Sequence, residues 1–193
     1  MQTNSRIKSL PLPEDKKEAV NAIKAFLFGP VKKFTADDLE NINLRQGGEC
    51  HTYAVIDAIH TYDAIILAHG WEAVHECLWK GESEEQFSLY APYVVRLDDE
   101  NPFTDWLLNN GWGKGWGIYL RSYLPLNKLV HELRKINMVY DEVERKWSFF
   151  RFYSPRTVKE FIPFLPAKEF IDVTSGIKQI ISEDIDANNI LFV

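Results

Sequence analysis

Two short constellations in this chain of 193 residues carry side chains capable of covalent or metal chemistry. The first is Cys50-His51, preceded by Gly47-Gly48; the second is His75-Glu76-Cys77. A thiol beside an imidazole suggests a nucleophile and its base, but the two must meet in space, and adjacency in sequence does not supply that. No local signature of a cysteine-protease family surrounds Cys50. Cys50, His51, His75 and Cys77 could instead be grouped as a zinc site. Structural zinc ordinarily uses two Cys or two His a few residues apart, and neither pairing occurs here. On a strand, residues 75 and 77 would share a face, which is the only geometric support. The expectation is that Cys50 ends a loop, that His75 to Cys77 is a half-buried strand, and that no metal or cofactor is bound.

Three other stretches stand out. Gly111-Trp-Gly-Lys-Gly-Trp-Gly117 lacks the spacing of a phosphate-binding loop, and Lys114 has no Ser or Thr after it. Glycine at alternate positions suits a turn with positive φ, or backbone packed against the two indoles. Glu82 to Glu100 holds six acids against one Arg, a pattern that usually marks a solvated face. Phe149-Phe-Arg-Phe-Tyr-Ser-Pro-Arg156 reads as an interior strand, with Phe150 and Phe152 on one side and Phe149, Arg151 and Tyr153 on the other. A guanidinium there needs a carboxylate partner. Ser154 reads as an N-cap with Pro155 at the first helical position. Arg156 falls in that helix's first turn, where the dipole disfavours a cation. Asp57, at the end of an apolar strand, is the acid expected to pair with Arg151 or Arg156.

The elements that must position these residues follow from periodicity. Apolar spacing from Glu14 to Phe28 predicts a helix stopped by Gly29-Pro30. Residues 1–50 are read as an N-terminal extension, partly helical and basic through Lys33, with seven Lys or Arg against three acids. Thr35-Ala-Asp-Asp38 reads as the start of a short helix, and Gln46-Gly47-Gly48 as a loop. Residues 51–193 form the main α/β domain. Tyr53 to Ile56 is wholly apolar, as a strand buried on both faces would be. Ile59, Tyr62, Ile65, Ile66 and His69 mark a helix closed by Gly70. Further strands are expected at Glu76 to Trp79, Tyr93 to Val95 and Gly117 to Arg121, and helices at Glu82 to Tyr90, Asn101 to Gly111 and Pro125 to Asn137. Met138 to Tyr153 reads as a hairpin, followed by helices from Pro155 and Ala167 and strands at Ile177 to Ile181 and Ile190 to Val193. Together these predict an α/β (α+β) single domain: a mixed β-sheet flanked by helices.

Composition narrows the function. The formal charge of −6 argues against a dedicated nucleic-acid binder. No apolar run approaches the roughly 18–20 residues of a membrane helix, so no membrane insertion is expected. Two cysteines cannot build a disulfide framework, which favours a reducing cytoplasm. Aromatic residues make up 13% of the chain, with 6 Trp, and Trp and Tyr are enriched at interaction surfaces.

Tyr53-Ala-Val-Ile-Asp57, Leu78-Trp-Lys-Gly81, Ala91-Pro92-Tyr93-Val-Val95, Gly111-Trp112-Gly with Trp116-Gly-Ile118, Ser122, His131-Glu-Leu-Arg134 and Phe150-Arg151-Phe-Tyr153-Ser-Pro155-Arg156 occur in an order that resembles the type VI secretion effector-adaptor family. That family is catalogued as domain of unknown function 4123, and its members are called Tap or TEC adaptors. The resemblance spans about Thr52 to Ile181. It implies a non-enzymatic cytoplasmic chaperone that loads a secreted effector onto the VgrG or PAAR tip of the secretion spike, and it leaves oligomeric state open. Tyr53, Asp57, Pro92, Trp112, Trp116, Arg134, Arg151, Tyr153, Pro155 and Arg156 are the family-motif residues it offers as partner-binding candidates. Ser154 stands where the family usually has Asp; both are good N-caps, which favours a capping role there. Longer members continue into a helical C-terminal region, and effector recognition tied to that region is not carried over. Two other readings stay open: a thiol- or metal-dependent hydrolase on Cys50, His51, His75 and Cys77, and a small immunity or inhibitor protein.

Overall fold

The computed structural model describes residues 6–31, 49–141 and 144–193. The helix expected from Thr35 and the loop at Gln46 to Gly48 lie outside the described residues, as does part of the hairpin turn. Nine strands and seven helices are described, and seven of the strands form one sheet. Near its middle is β2 (His51–Asp57), flanked by β4 (Pro92–Leu97) and β5 (Gly117–Ser122). Beyond β4 lies the short edge strand β3 (His75–Cys77). Beyond β5 come β8 (Gln179–Glu183), β9 (Asn189–Phe192) and finally β1 (Lys8–Pro11). The α/β class with a helix-flanked sheet stands, but every pairing in this sheet is antiparallel where a mixed sheet was expected. β3 and β4 lie on one side of β2 and β5, β8, β9 and β1 on the other, each antiparallel to its neighbour.

Alternation along β2 builds two cores. Ala54 and Ile56 face one side, where α1 (Lys16–Phe28), α2 (Tyr62–Gly70) and α4 (Pro102–Gly111) bury Ile23, Leu27, Ala64, Phe103 and Leu107. Tyr53 and Val55 face the other, under α5 (Leu126–Lys135) and α6 (Pro155–Glu160), with Leu129, Leu133, Phe152 and Val158. Burial on both faces is why Tyr53 to Ile56, the middle of β2, is apolar without interruption. α3 (Glu82–Phe87) and α7 (Ala167–Val173) bury nothing fully. Residues 8–28 are built into this architecture: β1 closes the sheet edge against β9, and α1 covers the first core. Thr52 Oγ1 donates to Leu27 O at 2.8 Å, and Arg121 Nη1 donates to Gly29 O at 3.1 Å.

Three expectations change. α2 is present, but it buries Ala64, Ile65 and Ala68, whereas Ile59, Tyr62 and Ile66 of the expected stripe are exposed. Two alanines on the inner side let the helix sit close against the sheet, so that side becomes the packed one. The helix is followed by Glu72 in the left-handed region (φ 56°), a role expected of Gly70. The hairpin forms from β6 (Met138–Asp141) and β7 (Lys146–Phe149) as a separate two-stranded sheet, and it ends at Phe149. Residues 150–153 are therefore a turn, and Phe152 and Tyr153 are both buried although adjacent. No interior strand runs through Phe149 to Tyr153, and the expected alternation of sides fails.

Candidate functional site

Family-motif residues converge on Asp57, at the end of β2. Pro92 is opposite it as the first residue of β4, where a missing N–H costs no ladder bond. The Asp57 N–H donates to Trp116 O at 2.8 Å, tying in the start of β5. The Asp57 side chain points to the second face and is 2% exposed as a residue. One carboxylate oxygen accepts from Ile59 N–H at 3.2 Å; the other binds the Arg151 guanidinium. Arg151 Nη2 also lies 3.2 Å from His60 Nε2. Burial and the Asp57 charge push the neighbouring Tyr153 hydroxyl up to about 12. The turn after the hairpin is thus pinned to the central strand by an ion pair, as Asp57 and Arg151 led one to expect. Arg156 takes no part and pairs instead with Glu160 one turn along α6 at 2.7 Å.

The glycine-rich loop encloses a carboxylate that sequence reasoning missed. Gly113 (φ 86°) and Gly115 (φ 66°) adopt the left-handed backbone that glycine favours. Their N–H groups both donate to the Glu183 carboxylate, that of Gly115 at 2.6 Å. Glu183 is 8% exposed; burial raises its pKa above the ordinary carboxylate value, and the two backbone bonds pull the other way. Trp112 donates to Ala187 O at 3.1 Å and stacks on Tyr119; Trp116 stacks on Trp106 and carries Lys114 over its ring. Both indoles are half-buried against the first core. A Cβ on Gly117 would lie 1.9 Å from Val55 O, so only glycine allows β5 this close to β2. The β8 sequence Gln-Ile-Ile-Ser-Glu carries no signal for this role, because the partners of Glu183 are backbone N–H groups.

Arg134, Tyr53 and Ser122 also bond within the fold. Arg134 joins α5 to the β3 edge, donating to Cys77 O at 2.7 Å and Leu78 O at 3.2 Å and pairing with Glu76 at 3.1 Å. Tyr53 is buried and donates to Leu124 O at 2.8 Å. Ser122 Oγ donates to Gly176 O at 2.6 Å and accepts from Leu124 N–H. Pro155 opens α6 as expected. Ser154 precedes it with extended backbone, but its hydroxyl makes no capping hydrogen bond; its carbonyl accepts from Val158 N–H instead.

The cysteine and histidine set is not assembled. Cys77 is opposite Tyr93, which is opposite Ile56, so Cys77 is displaced from Cys50 by the run from position 50 to 56 and by two strand spacings. At about 3.3 Å per residue and 4.8 Å per strand, that is about 20 Å of separation or more. His75 is likewise level with Ala54, not His51. Burial raises the Cys50 thiol above its ordinary value and pushes Cys77 up to about 11, opposite to the activation a nucleophile needs. Among the described residues, no three His, Cys, Asp or Glu side chains are grouped to hold a metal.

What the surface does present is apolar. On the hairpin, Met138 is opposite Phe149 and Tyr140 is opposite Trp147, so these four side chains share one face. All are exposed, Trp147 at 65%; Phe149 also stacks on Trp79 at 5.0 Å. A hairpin paired with no third strand is marginal alone. No helix among the described residues is long and apolar enough to cross a membrane.

Residues 52–170, well over half of the chain, match the family model described as Domain of unknown function (DUF4123). No curated protein and no solved structure matches the chain.

Proposed function

The chain belongs to the DUF4123 family, and from that membership we propose that it is a non-enzymatic cytoplasmic adaptor of type VI secretion. It binds a secreted effector and carries it to the VgrG or PAAR spike protein. The observation that supports this reading is the division of labour among the side chains. Asp57, Arg134, Arg151 and Glu183 are engaged with groups of the same chain, while aromatic side chains are exposed on the hairpin. Aromatic residues of that kind are enriched among the few that dominate protein interfaces. The hydrolase reading would need Cys50, His51, His75 and Cys77 to converge, and the strand register keeps them apart.

The test is purification of the tagged chain from the native cell, with mass spectrometry of what accompanies it. A toxin-bearing effector recovered in stoichiometric amount, and lost from the secreted fraction when the gene is deleted, is the expected result. Stoichiometric zinc, or secretion of every effector unchanged in the deletion strain, would overturn the reading.

A further inference from the structure

Arg121, near the end of β5, is only 4% exposed, yet among the described residues it is in no ion pair. Its guanidinium is turned to the last carbonyls of α1. Nη1 donates to Phe26 O at 3.4 Å and to Gly29 O at 3.1 Å, and Nη2 donates to Gly29 O at 3.1 Å. A helix C-terminus carries negative partial charge, which offsets part of the cation. Nε is buried too, and it has no hydrogen-bond partner. A buried N–H left unmade is costly. Nε shares with Nη2 the guanidinium edge that can hold both oxygens of a carboxylate side-on.

Arg121 lines a pocket of about 480 Å³ beside the C-terminal end of α1. The pocket runs from β5 across β8 and β9 to the edge strand β1, with Arg121 opposite Gln179 and Phe192 opposite Lys8. Its charged lining is of one sign. Lys8 and Lys178 join Arg121, and no Asp or Glu is among the described residues that line it. Lys8 is exposed and in no ion pair among the described residues. Burial raises the nearby Cys50 thiol, but Arg121 and Lys178 pull it down, so the two cations act on the same place. The rest of the lining is mainly apolar: Val31 and the rings of Phe26 and Phe192, whose centroids are 5.1 Å apart. Concave sites of this size, apolar with a few fixed polar groups, suit small ligands.

We propose that this pocket binds a small organic acid, whose carboxylate Arg121 holds through its Nε edge. Lys8 and Lys178 supply matching charge, and Phe26 and Phe192 take the apolar body of the ligand. The α1 carbonyls beside Arg121 disfavour a second negative charge, so a carboxylate fits better than a phosphate dianion. The site goes beyond the adaptor reading and does not depend on it.

The test is calorimetric titration of the full chain with phenylbutyrate and with its uncharged amide, at fixed ionic strength. The acid should bind at least tenfold more tightly than the amide, and inorganic phosphate at equal concentration should not displace it. Lys8→Gln, at an exposed position, should weaken binding of the acid at least threefold with the melting curve unchanged. Arg121→Lys keeps the charge but loses the two-pronged edge, and should weaken it at least tenfold. Lys128→Gln, on α5 across the sheet, should leave binding as it was. Arg121 also holds the end of α1, so thermal unfolding is measured beside the titration, and Lys8→Gln decides the matter if Arg121→Lys does not fold. Failure of the acid to bind, equal binding of acid and amide, displacement by phosphate, or indifference to Lys8→Gln would each overturn the proposal.

Discussion

The Asp57 carboxylate is buried, but the Arg151 side chain that neutralises it is 48% exposed. Removing either partner should therefore cost different amounts. In Asp57→Asn the guanidinium can rehydrate and the amide oxygen can still accept from Ile59, so a loss of about 1–2 kcal/mol is expected. Arg151→Ala leaves a buried charge uncompensated beside Tyr153, which should cost about 3 kcal/mol. Urea unfolding of both variants checks the order. Glu183 makes the second prediction. Its pKa is higher in the folded chain than in the unfolded one, so between those two values the folded state holds more protons. Its contribution to stability therefore falls as pH rises from the ordinary carboxylate range through the raised value, and recovers on acidification. Glu183→Gln should remove that slope from denaturation midpoints measured between mild acid and neutrality. The Asp57–Arg151 pairing was legible because each residue lacked a local partner of opposite charge. Glu183 was not, because its partners are backbone N–H groups of a distant loop, which leave no residue type to read.

The helices α5, with its apolar stripe of Leu129, Val130 and Leu133, and α4, with its cap, were the most legible elements. Asn101 caps α4 by accepting from Phe103 N–H at 2.8 Å, and Pro102 opens it, as the sequence pattern required. The faces of elements were less legible than their existence. In α2 the larger apolar residues suggested the buried stripe, but close packing selected the alanines. Past Phe149, aromatic alternation mimicked a strand where tertiary contacts fold the chain into a turn. β1 was missed because Lys8–Pro11 is exposed throughout and owes its strand conformation to pairing with β9. The hairpin carries the prediction at this scale. Tyr140→Ala with Trp147→Ala removes side chains that are mostly outside the core, so the melting temperature should barely move. If the hairpin is an interface hot spot, affinity for one of the two partners should fall by 2 kcal/mol or more, about 30-fold. Calorimetric titration beside thermal unfolding reads both; a large drop in stability without loss of affinity would assign the hairpin to the fold instead.

At the level of the whole molecule, layers of helices on both faces of a sheet could be foreseen from the alternation of strands and helices. Strand direction could not, because a periodic pattern fixes which residues face inward but not which way the chain returns. The adaptor account makes a claim about the assembled protein: one chain holds an effector and a spike protein together without chemistry. Size-exclusion chromatography with light scattering, on the three purified proteins, tests it most directly. The account predicts that effector and VgrG or PAAR protein elute as one complex with the chain and separately without it. Co-elution of effector and spike that is equally complete in its absence would contradict it.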